Sequence, residues 1–337
     1  MPRFHLSARL VAGVSLVMLA TPLAASHANA QTSPIQGTSL ETSADIPRTR
    51  DGHPDFQGVV WTATSNFFAP LESSPMTPKE LVLPEEEASK AFAKIMTMFM
   101  SPAVKKMIEE IDPEAAELMK NMKGFPLVRG ERHTRLLVLP ADGKLPLTPE
   151  ARKDVPVGLS IPVGKADNPE DRAPSERCLA MPPPTAVVFD IPIAFVQTPD
   201  HIVISGEYSS DARIIPFSGN SGGASAHWDG DTLVIETTGF LMRDRVRPLF
   251  GGAFIVNPEA KVIERFARAG PDELVYQFTV EDPKAYSAPW LAEYSYFRAP
   301  YRMYASSCHE ANYSLSNILQ GQRAADMRKA GGLPAVH

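Results

Sequence analysis

The chain has 337 residues, with 33 basic and 39 acidic side chains and a formal net charge of −6 at neutral pH. This balance argues against nucleic acid or an anionic membrane surface as a partner, because both attract basic proteins. The 32 prolines favour loops and sheet edges over a mainly helical bundle.

The first 30 residues have the pattern of a secretory signal peptide. Arg3 and Arg9 give the segment a positively charged start. A short apolar run over Leu10–Leu19 follows, and Ala28-Asn29-Ala30 forms an A-x-A cleavage site. The alternative is an uncleaved membrane anchor, for which this run is too short. Cleavage would leave 31 basic and 39 acidic residues, a net charge of about −8. We therefore expect a periplasmic or secreted protein.

The chain contains two cysteines, Cys178 and Cys308, and both belong to the part predicted to be exported. In an oxidising compartment such a pair favours a disulfide over free thiols or a metal site. Closing a loop of this length stabilises a fold by roughly 4 to 5 kcal/mol in the chain-entropy model. The bond would join the start of a β domain to its end.

Five segments with different composition precede the β domain. The sequence predicts, in chain order, a signal peptide over 1–30, a disordered leader over 31–50, an N-terminal strand segment over 51–76, a Met-rich helical insertion over 77–123 and a Pro-rich wrapping segment over 124–184. Within the insertion, helices are expected over Leu83–Met100 and Pro102–Met122. Packing of their methionines on a sheet is the favoured interpretation, and a soft lid over an apolar ligand is the alternative.

Residues 185–323 repeat a pattern of strand, turn and strand, which predicts an antiparallel β domain of about eight strands. The strongest signal is Asp229-Gly230, which follows Trp228 and precedes the β-branched run Thr232–Thr238. The regular strand spacing indicates a closed barrel or a sandwich, followed by a tail over 324–337. The other expected strands are Ala186–Val196, Ile202–Tyr208, Arg213–Phe217, Lys261–Arg268, Leu274–Val280, Trp290–Phe297 and Tyr301–Ser306.

Six short motifs occur together in this chain, and as a set they are specific. They are Asn168–Arg172 (NPEDR), Gln197–His201 (QTPDH), Asp211–Pro216 (DARIIP), Trp228–Val234 (WDGDTLV), Glu281–Pro283 (EDP) and Cys308–Ser314 (CHEANYS). With residues 51–61, they resemble a family of exported, largely uncharacterised proteins from soil and aquatic bacteria. The resemblance implies a lipocalin-like β domain and supplies no catalytic residue.

The chain departs from this family pattern at three places. It carries the Met-rich stretch near 90–123, extra residues between Arg172 and Cys178, and a shortened Gly/Ser loop before His227. These departures lie where the mouth or lid of a barrel is expected, so a relative's ligand does not transfer to this chain.

The candidate catalytic residues include three histidines near predicted strand ends. The chain has no nucleotide-binding loop, zinc signature or nucleophile elbow, and His309-Glu310 lacks the second histidine of a zinc-protease helix. If the strand ends converge, His201, His227, His309 and Glu310 would supply a proton shuttle or hold a divalent metal. The alternative is three unrelated histidines at the rim of the domain.

Strand alternation supplies the fifth catalytic candidate. It places Glu264 on the same face as two apolar residues of its strand, where it is a candidate general acid or base. The favoured alternative is that this face points outward and that Glu264 pairs with a cation across the strands. The candidate substrate-binding residues are Arg213, Arg265, Tyr313, Asp211 and Asn312, and Arg213 is expected to pair with Asp211 or to bind a substrate carboxylate.

The sequence therefore predicts an exported enzyme that needs no cofactor, apart from a divalent metal if the histidines meet. Its expected reaction is acid/base chemistry of the lyase, isomerase or hydrolase type on a small aromatic or sugar-derived molecule. One alternative is a periplasmic binding protein for an apolar small ligand. The other is an envelope interaction protein whose interior is filled by its own aromatic side chains. The expected partner is a small molecule, without nucleic acid or stable membrane insertion.

Overall fold

A computed structural model describes residues 40, 45–63, 69–99, 101–111, 124–155, 166–172, 174–179, 182–184, 192–207, 212–242, 245–249, 252–304 and 307–331. All of them belong to the compact unit Pro34–His337. The predicted signal peptide and most of the predicted leader lie outside the described residues. Within the described part, no helix is long and apolar enough to cross a membrane.

An antiparallel β-sheet dominates the described residues and confirms the predicted β-rich fold. Its order is β8-β7-β6-β1-β15-β14-β13-β10-β9, and β5 pairs with β15 beside this path. A second sheet has the order β2-β4-β3, and β11 pairs with β12. The strands are β1 (Trp61–Thr62), β2 (Val82–Leu83), β3 (Leu127–Val128), β4 (Glu131–His133), β5 (Leu137–Leu139), β6 (Ile193–Gln197), β7 (His201–Gly206), β8 (Arg213–Pro216), β9 (Ala224–Asp229), β10 (Thr232–Thr237), β11 (Val246–Leu249), β12 (Gly252–Ile255), β13 (Lys261–Arg268), β14 (Glu273–Glu281) and β15 (Trp290–Arg298).

The predicted Asp-Gly hairpin is present between β9 and β10. Asp229 pairs with Thr232, which leaves Gly230 and Asp231 as the two turn residues. Gly230 has a φ of +58°, a left-handed conformation that glycine adopts without steric cost. Leu233 and Ile235 on one face of β10 belong to the main core cluster, and on the other face Val234 is also buried while Glu236 is partly exposed.

The main sheet curls over on itself. Arg213 on the outer strand β8 contacts Glu264 on β13, six places away in the strand order, at 2.6 Å. At roughly 4.8 Å between neighbouring strands, a flat sheet would hold these positions about 29 Å apart. The concave side therefore encloses a common interior. Among the described residues, no ladder between β8 and β9 closes this sheet into a barrel.

Both predicted helices of the Met-rich insertion are present in the described part. They are α1 (Glu85–Phe99) and α2 (Pro102–Ile111), and residues 112–123 lie outside the described part. Helix α1 buries Ala88, Phe92 and Ile95 against Phe125, in a cluster separate from the core of the main sheet. Its exposed methionine Met98 does not pack on that sheet. A short helix, α3 (Pro149–Asp154), follows in the wrapping segment.

The C-terminal region differs from the prediction. The described residues 301–304 form no strand, so the strand expected over Tyr301–Ser306 is wrong there. The chain instead continues into α4 (Tyr313–Lys329), a helix with a mostly exposed surface. Because this helix buries little beyond Leu319, its sequence lacks the apolar stripe that usually identifies a helix.

The predicted disulfide is present. Cys178 and Cys308 are joined with an S–S distance of 2.02 Å across 130 residues. In the chain-entropy model a loop of this size contributes roughly 5 kcal/mol. The bond fixes the start of α4 to the segment that precedes β6.

Candidate functional site

Polar side chains from four strands meet on the interior face of the sheet. Strand alternation turns Glu264 of β13 and Tyr276 of β14 to the same side as the apolar core residues Phe266 and Phe278. The register then places Tyr294 of β15 opposite Tyr276. We call Arg213, Glu264, Tyr276, Tyr294 and Tyr296 the interior cluster.

Glu264 is the centre of the interior cluster. Arg213 donates from Nη1 to Oε1 at 3.1 Å and from Nη2 to Oε2 at 2.6 Å, which is a bidentate ion pair. The hydroxyl of Tyr276 donates to Oε1 at 2.9 Å. The hydroxyls of Tyr294 and Tyr296 lie 3.0 Å apart and share a hydrogen bond. Both carboxylate oxygens of Glu264 therefore accept hydrogen bonds, and the phenols of Tyr294 and Tyr296 belong to the same cluster.

Burial differs across the ion pair. The side chain of Glu264 is 1% exposed and that of Arg213 is 20% exposed. Removing two charges from water costs several kcal/mol per ion, so a pair of this kind is rarely an efficient way to stabilise a fold. Arg213 is the member of the pair that is partly accessible to solvent.

The electrostatic environment keeps the cation charged and the phenols protonated. Burial acts to lower the pKa of Arg213, but the charge and hydrogen bonds of Glu264 outweigh it and raise this pKa above its ordinary value. Burial and the negative charge of Glu264 raise the pKa of Tyr276 well above its ordinary value. Burial, with the neighbouring phenols, raises the pKa of Tyr294 in the same direction. At neutral pH, Tyr276 therefore acts as a hydrogen-bond donor.

Aromatic rings surround the polar groups. The ring of Tyr276 lies 4.6 Å from Phe266, 5.7 Å from Phe278 and 5.1 Å from Tyr294 between centroids. Such edge and tilted contacts are typical of aromatic packing, and all four rings are at most 2% exposed. An apolar surface with a few converging polar groups is the usual composition of a small-molecule site.

Two of the predicted site residues lie in the interior cluster. Glu264 shares its face with apolar neighbours, as predicted, but the favoured expectation that this face points outward is wrong. Its partner is Arg213, a cation from a strand that is distant in the sheet order rather than a cross-strand neighbour. Asp211, the expected partner of Arg213, lies outside the described residues.

The structure does not bring the three predicted histidines into the interior cluster. His201, His227 and His309 are exposed, as is Glu310, and no hydrogen bond or ion pair among the described residues joins any two of the histidines. His227 points away from the interior, because its neighbours on β9 are the inward-facing Ala226 and Trp228. In the described part of the chain, no group of three or more His, Cys, Asp or Glu side chains is arranged to hold a metal ion.

The remaining predicted substrate-binding residues lie elsewhere. Arg265 points to the outer face and contacts Asp229 at 3.3 Å. Tyr313 is exposed at the first residue of α4. The side chain of Asn312 accepts a hydrogen bond from the backbone of α4 and donates to the carbonyl of Glu176 at 2.8 Å. Asn312 therefore caps a helix and fastens it beside the disulfide.

The three tyrosines of the interior cluster were not among the predicted site residues. Alternation along β14 and β15 makes Tyr276, Tyr294 and Tyr296 members of one face only once the pairing of the two strands is known. The sequence signal was therefore present but incomplete, because it does not fix the register.

Comparison of the chain with protein-family models, curated proteins and solved structures finds no match. The interior cluster is thus the basis on which a function can be proposed.

Proposed function

We propose that this protein binds a small molecule on the concave side of its main sheet, at the interior cluster. One observation carries the proposal: Glu264, 1% exposed, is held by Arg213 from the far edge of the same sheet and is surrounded by aromatic rings. The desolvation cost of a buried ion pair can exceed its attraction, so stability alone explains this pair poorly, and a ligand that uses it is our explanation.

The shape of the sheet supports the same proposal. A sheet whose outer strand reaches the seventh strand of the order is bent nearly into a cylinder, which fits the lipocalin-like barrel implied by the sequence resemblance. Barrels of about eight strands either fill their interior with side chains or, as in lipocalins, hold one small ligand there. We also propose that the protein is exported, and the disulfide between Cys178 and Cys308 is compatible with an oxidising compartment.

A second candidate function is acid/base catalysis at the same site, of the lyase, isomerase or hydrolase type. The observation that favours it is the 2.9 Å hydrogen bond from the Tyr276 hydroxyl to Oε1 of Glu264. A phenol and a carboxylate in direct contact can pass a proton between them and a bound molecule. In this proposal Glu264 and Tyr276 carry the chemistry, and Arg213 orients the substrate.

Ligand screening of the chain from Gln31 onward, purified from the periplasm, tests the binding proposal. Melting temperatures are measured against a panel of small aromatic and sugar-derived compounds, and the dissociation constants of compounds that raise them are then determined. We expect Tyr276→Phe to weaken binding by roughly tenfold, since it removes one buried hydroxyl. Tyr313→Phe is the matched control, because it makes the same change in an exposed tyrosine outside the cluster.

Two results would overturn this proposal. One is a panel in which no compound raises the melting temperature, which would favour an interior filled by its own aromatic side chains. The other is a ligand whose binding is lost in Tyr313→Phe and kept in Tyr276→Phe, which would place the site beside the disulfide. For the catalytic candidate, conversion of a bound compound has to stop in Glu264→Gln while a complex still forms.

A further inference from the structure

We infer that the edge strand β8 is a gate in the wall of the curled sheet, and that the ion pair between Arg213 and Glu264 is its latch. The gate lies at the seam between β8 and β9, the two ends of the strand order. The inference rests on the proposed binding function in one respect, since the opened seam is the route by which a small molecule reaches the interior. The opening itself is a property of the protein and is measured without a ligand.

The strand order prevents a hydrogen-bonded ladder at this seam. In the described part of the chain, nine strands lie along the path from β8 to β9, and each neighbouring pair is antiparallel. The first and the last strand therefore run in the same direction. A parallel pair needs a crossover of about a dozen residues or more, whereas only residues 217–223 link β8 to β9. The two strands approach within 8 Å between Cα atoms, but side chains have to hold them together.

The ion pair of the interior cluster is the polar contact that spans the seam. Ala226 of β9, Ile235 of β10 and Glu264 of β13 form one row across the sheet. The guanidinium of Arg213 on β8 therefore bonds to the third strand beyond the seam, with two hydrogen bonds to one carboxylate. The side chain next to the seam in this row is the small one of Ala226. Breaking this single bidentate contact removes the polar connection between β8 and β13.

The link from β8 to β9 provides a hinge. Its first residue, Phe217, is partly exposed and stacks on the partly exposed Trp228 of β9 at 6.4 Å between ring centroids. Gly222 has a φ of +58°, and a side chain there would meet no atom within 4 Å. The end of the link is fixed instead, because the carbonyl of Gly223 accepts a hydrogen bond from the backbone N–H of Thr238 at 2.9 Å. The strand β8 can therefore swing about this fixed end while its ladder with β7 stays intact.

The burial of the cluster shows why access to it requires opening. Glu264, Phe266, Tyr276 and Phe278 are at most 2% exposed, so the closed sheet keeps solvent away from them. The side chain of Arg213 is 20% exposed. When β8 swings outward, the arginine moves into water with it, and its rehydration offsets part of the cost of breaking the ion pair.

Thiol labelling at two buried alanines tests the gate. Ala226 lies beside the seam and is 3% exposed, and Ala292 lies on β15, four places away in the strand order and fully buried in the same core. The native cysteines are joined in a disulfide and do not react. In Ala226→Cys and Ala292→Cys, a small maleimide reacts when the thiol becomes exposed, so the labelling rate follows the open fraction if reclosing is fast. We expect Ala226→Cys to react at least about tenfold faster, because a local opening costs less than global unfolding.

A second substitution in the Ala226→Cys protein identifies the latch. Glu264→Gln weakens a contact that only the closed state makes, so labelling is expected to accelerate by at least about tenfold. The matched control is Glu293→Gln, which removes the charge of a buried glutamate that Arg129 contacts at 2.8 Å on the opposite face. That pair stays intact when the seam opens, so the labelling rate is expected to change by less than about twofold. Denaturant unfolding of each variant establishes that it is folded.

Each other outcome would overturn the inference. Equal labelling rates in Ala226→Cys and Ala292→Cys would mean that the interior is exposed only by global unfolding. Equal acceleration by Glu264→Gln and Glu293→Gln would mean the same. An unchanged rate in a folded Glu264→Gln protein would show that the ion pair is not the latch. The proposed binding function fails by a separate result, a panel in which no compound raises the melting temperature, whether or not the seam opens.

Discussion

Among the described residues, each face of the central sheet buries one glutamate, and the two environments are closely parallel. Glu264 lies on the interior face of β13, and Glu293 lies on the opposite face of β15 with 2% of its side chain exposed. Tyr276 donates its hydroxyl to Glu264 at 2.9 Å, and Gln277 donates its amide to Glu293 at 2.5 Å. Because consecutive strand residues point to opposite faces, one dipeptide of β14 serves both carboxylates.

The arginines that complete the two pairs differ in how they are held. Arg213 belongs to a strand, and among the described residues its guanidinium donates hydrogen bonds to Glu264. Arg129 lies in the turn between β3 and β4 with a φ of +49°; its backbone N–H donates to Glu273 at 2.7 Å while its guanidinium donates to Glu293 at 2.8 Å. The pair of Arg129 and Glu293, which we call the outer pair, therefore fastens the β3–β4 hairpin (Leu127–His133) onto the outer face of the sheet. The interior pair instead joins the edge strand β8 to β13 across the curled sheet, and ligand binding is its proposed additional role.

The largest expected loss of stability comes from replacing Glu293 on the outer face of the sheet. Glu293→Ala removes the acceptor of both Arg129 and Gln277, and we expect the free energy of unfolding to fall by about 3 kcal/mol. Denaturant unfolding measures the loss. Glu236→Ala is the control, because its partly exposed pair with Lys261 is expected to contribute under about 1 kcal/mol. A small loss in Glu293→Ala, or a folded variant that no longer binds ligand, would contradict a purely structural outer pair.

A second expected effect is a pH dependence of the free energy of unfolding, and it arises at His133 in the β3–β4 hairpin. His133 on β4 is buried, and its Nδ1 has no hydrogen-bond partner among the described residues. Burial, with the charges of Arg129 and Arg135, lowers the pKa of His133 from 6.5 to about 4. Between these values the unfolded chain binds more protons than the folded one. The free energy of unfolding therefore falls as the pH decreases from 6.5 towards 4, by up to about 3 kcal/mol.

Unfolding measured at a series of pH values checks this expectation. His133→Gln, which cannot be protonated, should lose less stability than the wild type between pH 6.5 and 4. His227→Gln is the control, because His227 is exposed on β9. Equal pH dependence in the wild type and in His133→Gln would show that His133 is not the group responsible.

The interior pair is expected to matter less for stability than for binding. Replacing both charges, as Arg213→Met with Glu264→Leu, should change the free energy of unfolding by at most about 2 kcal/mol, because the desolvation cost of the ions disappears with their attraction. Ligand binding should be lost. A double variant that is strongly destabilised would instead make the interior pair structural, like the outer one.

The sequence predicted those features that depend on short-range rules. Asp229-Gly230 specified a hairpin, the two cysteines specified a disulfide, and alternation placed Glu264 with apolar neighbours. The hairpin and the position of Glu264 follow from residues that are close in the chain. The disulfide follows because the chain has only two cysteines to pair.

The interior cluster could not be derived in the same way. Alternation along a strand does not say which face is enclosed by the fold. From the sequence, an outward-pointing face for Glu264 is therefore the favoured expectation. Its contact with Arg213 depends on how far the whole sheet curls, a property of many strands together. Helix α4 was missed for another physical reason, since its mostly exposed surface leaves no apolar periodicity to recognise.

The smallest expected effect tests the assignment of faces directly. Arg265 follows Glu264 in the chain, but it points outward and contacts Asp229 at 3.3 Å, where the aspartate side chain is 64% exposed. An exposed pair of this kind contributes at most about 1 kcal/mol, so Arg265→Gln should leave both the free energy of unfolding and ligand affinity nearly unchanged. Titration of the ligand into Arg265→Gln and Tyr276→Phe compares the two faces. If both variants weaken binding equally, the ligand does not distinguish the faces, and the division between a structural outer pair and a binding interior pair fails.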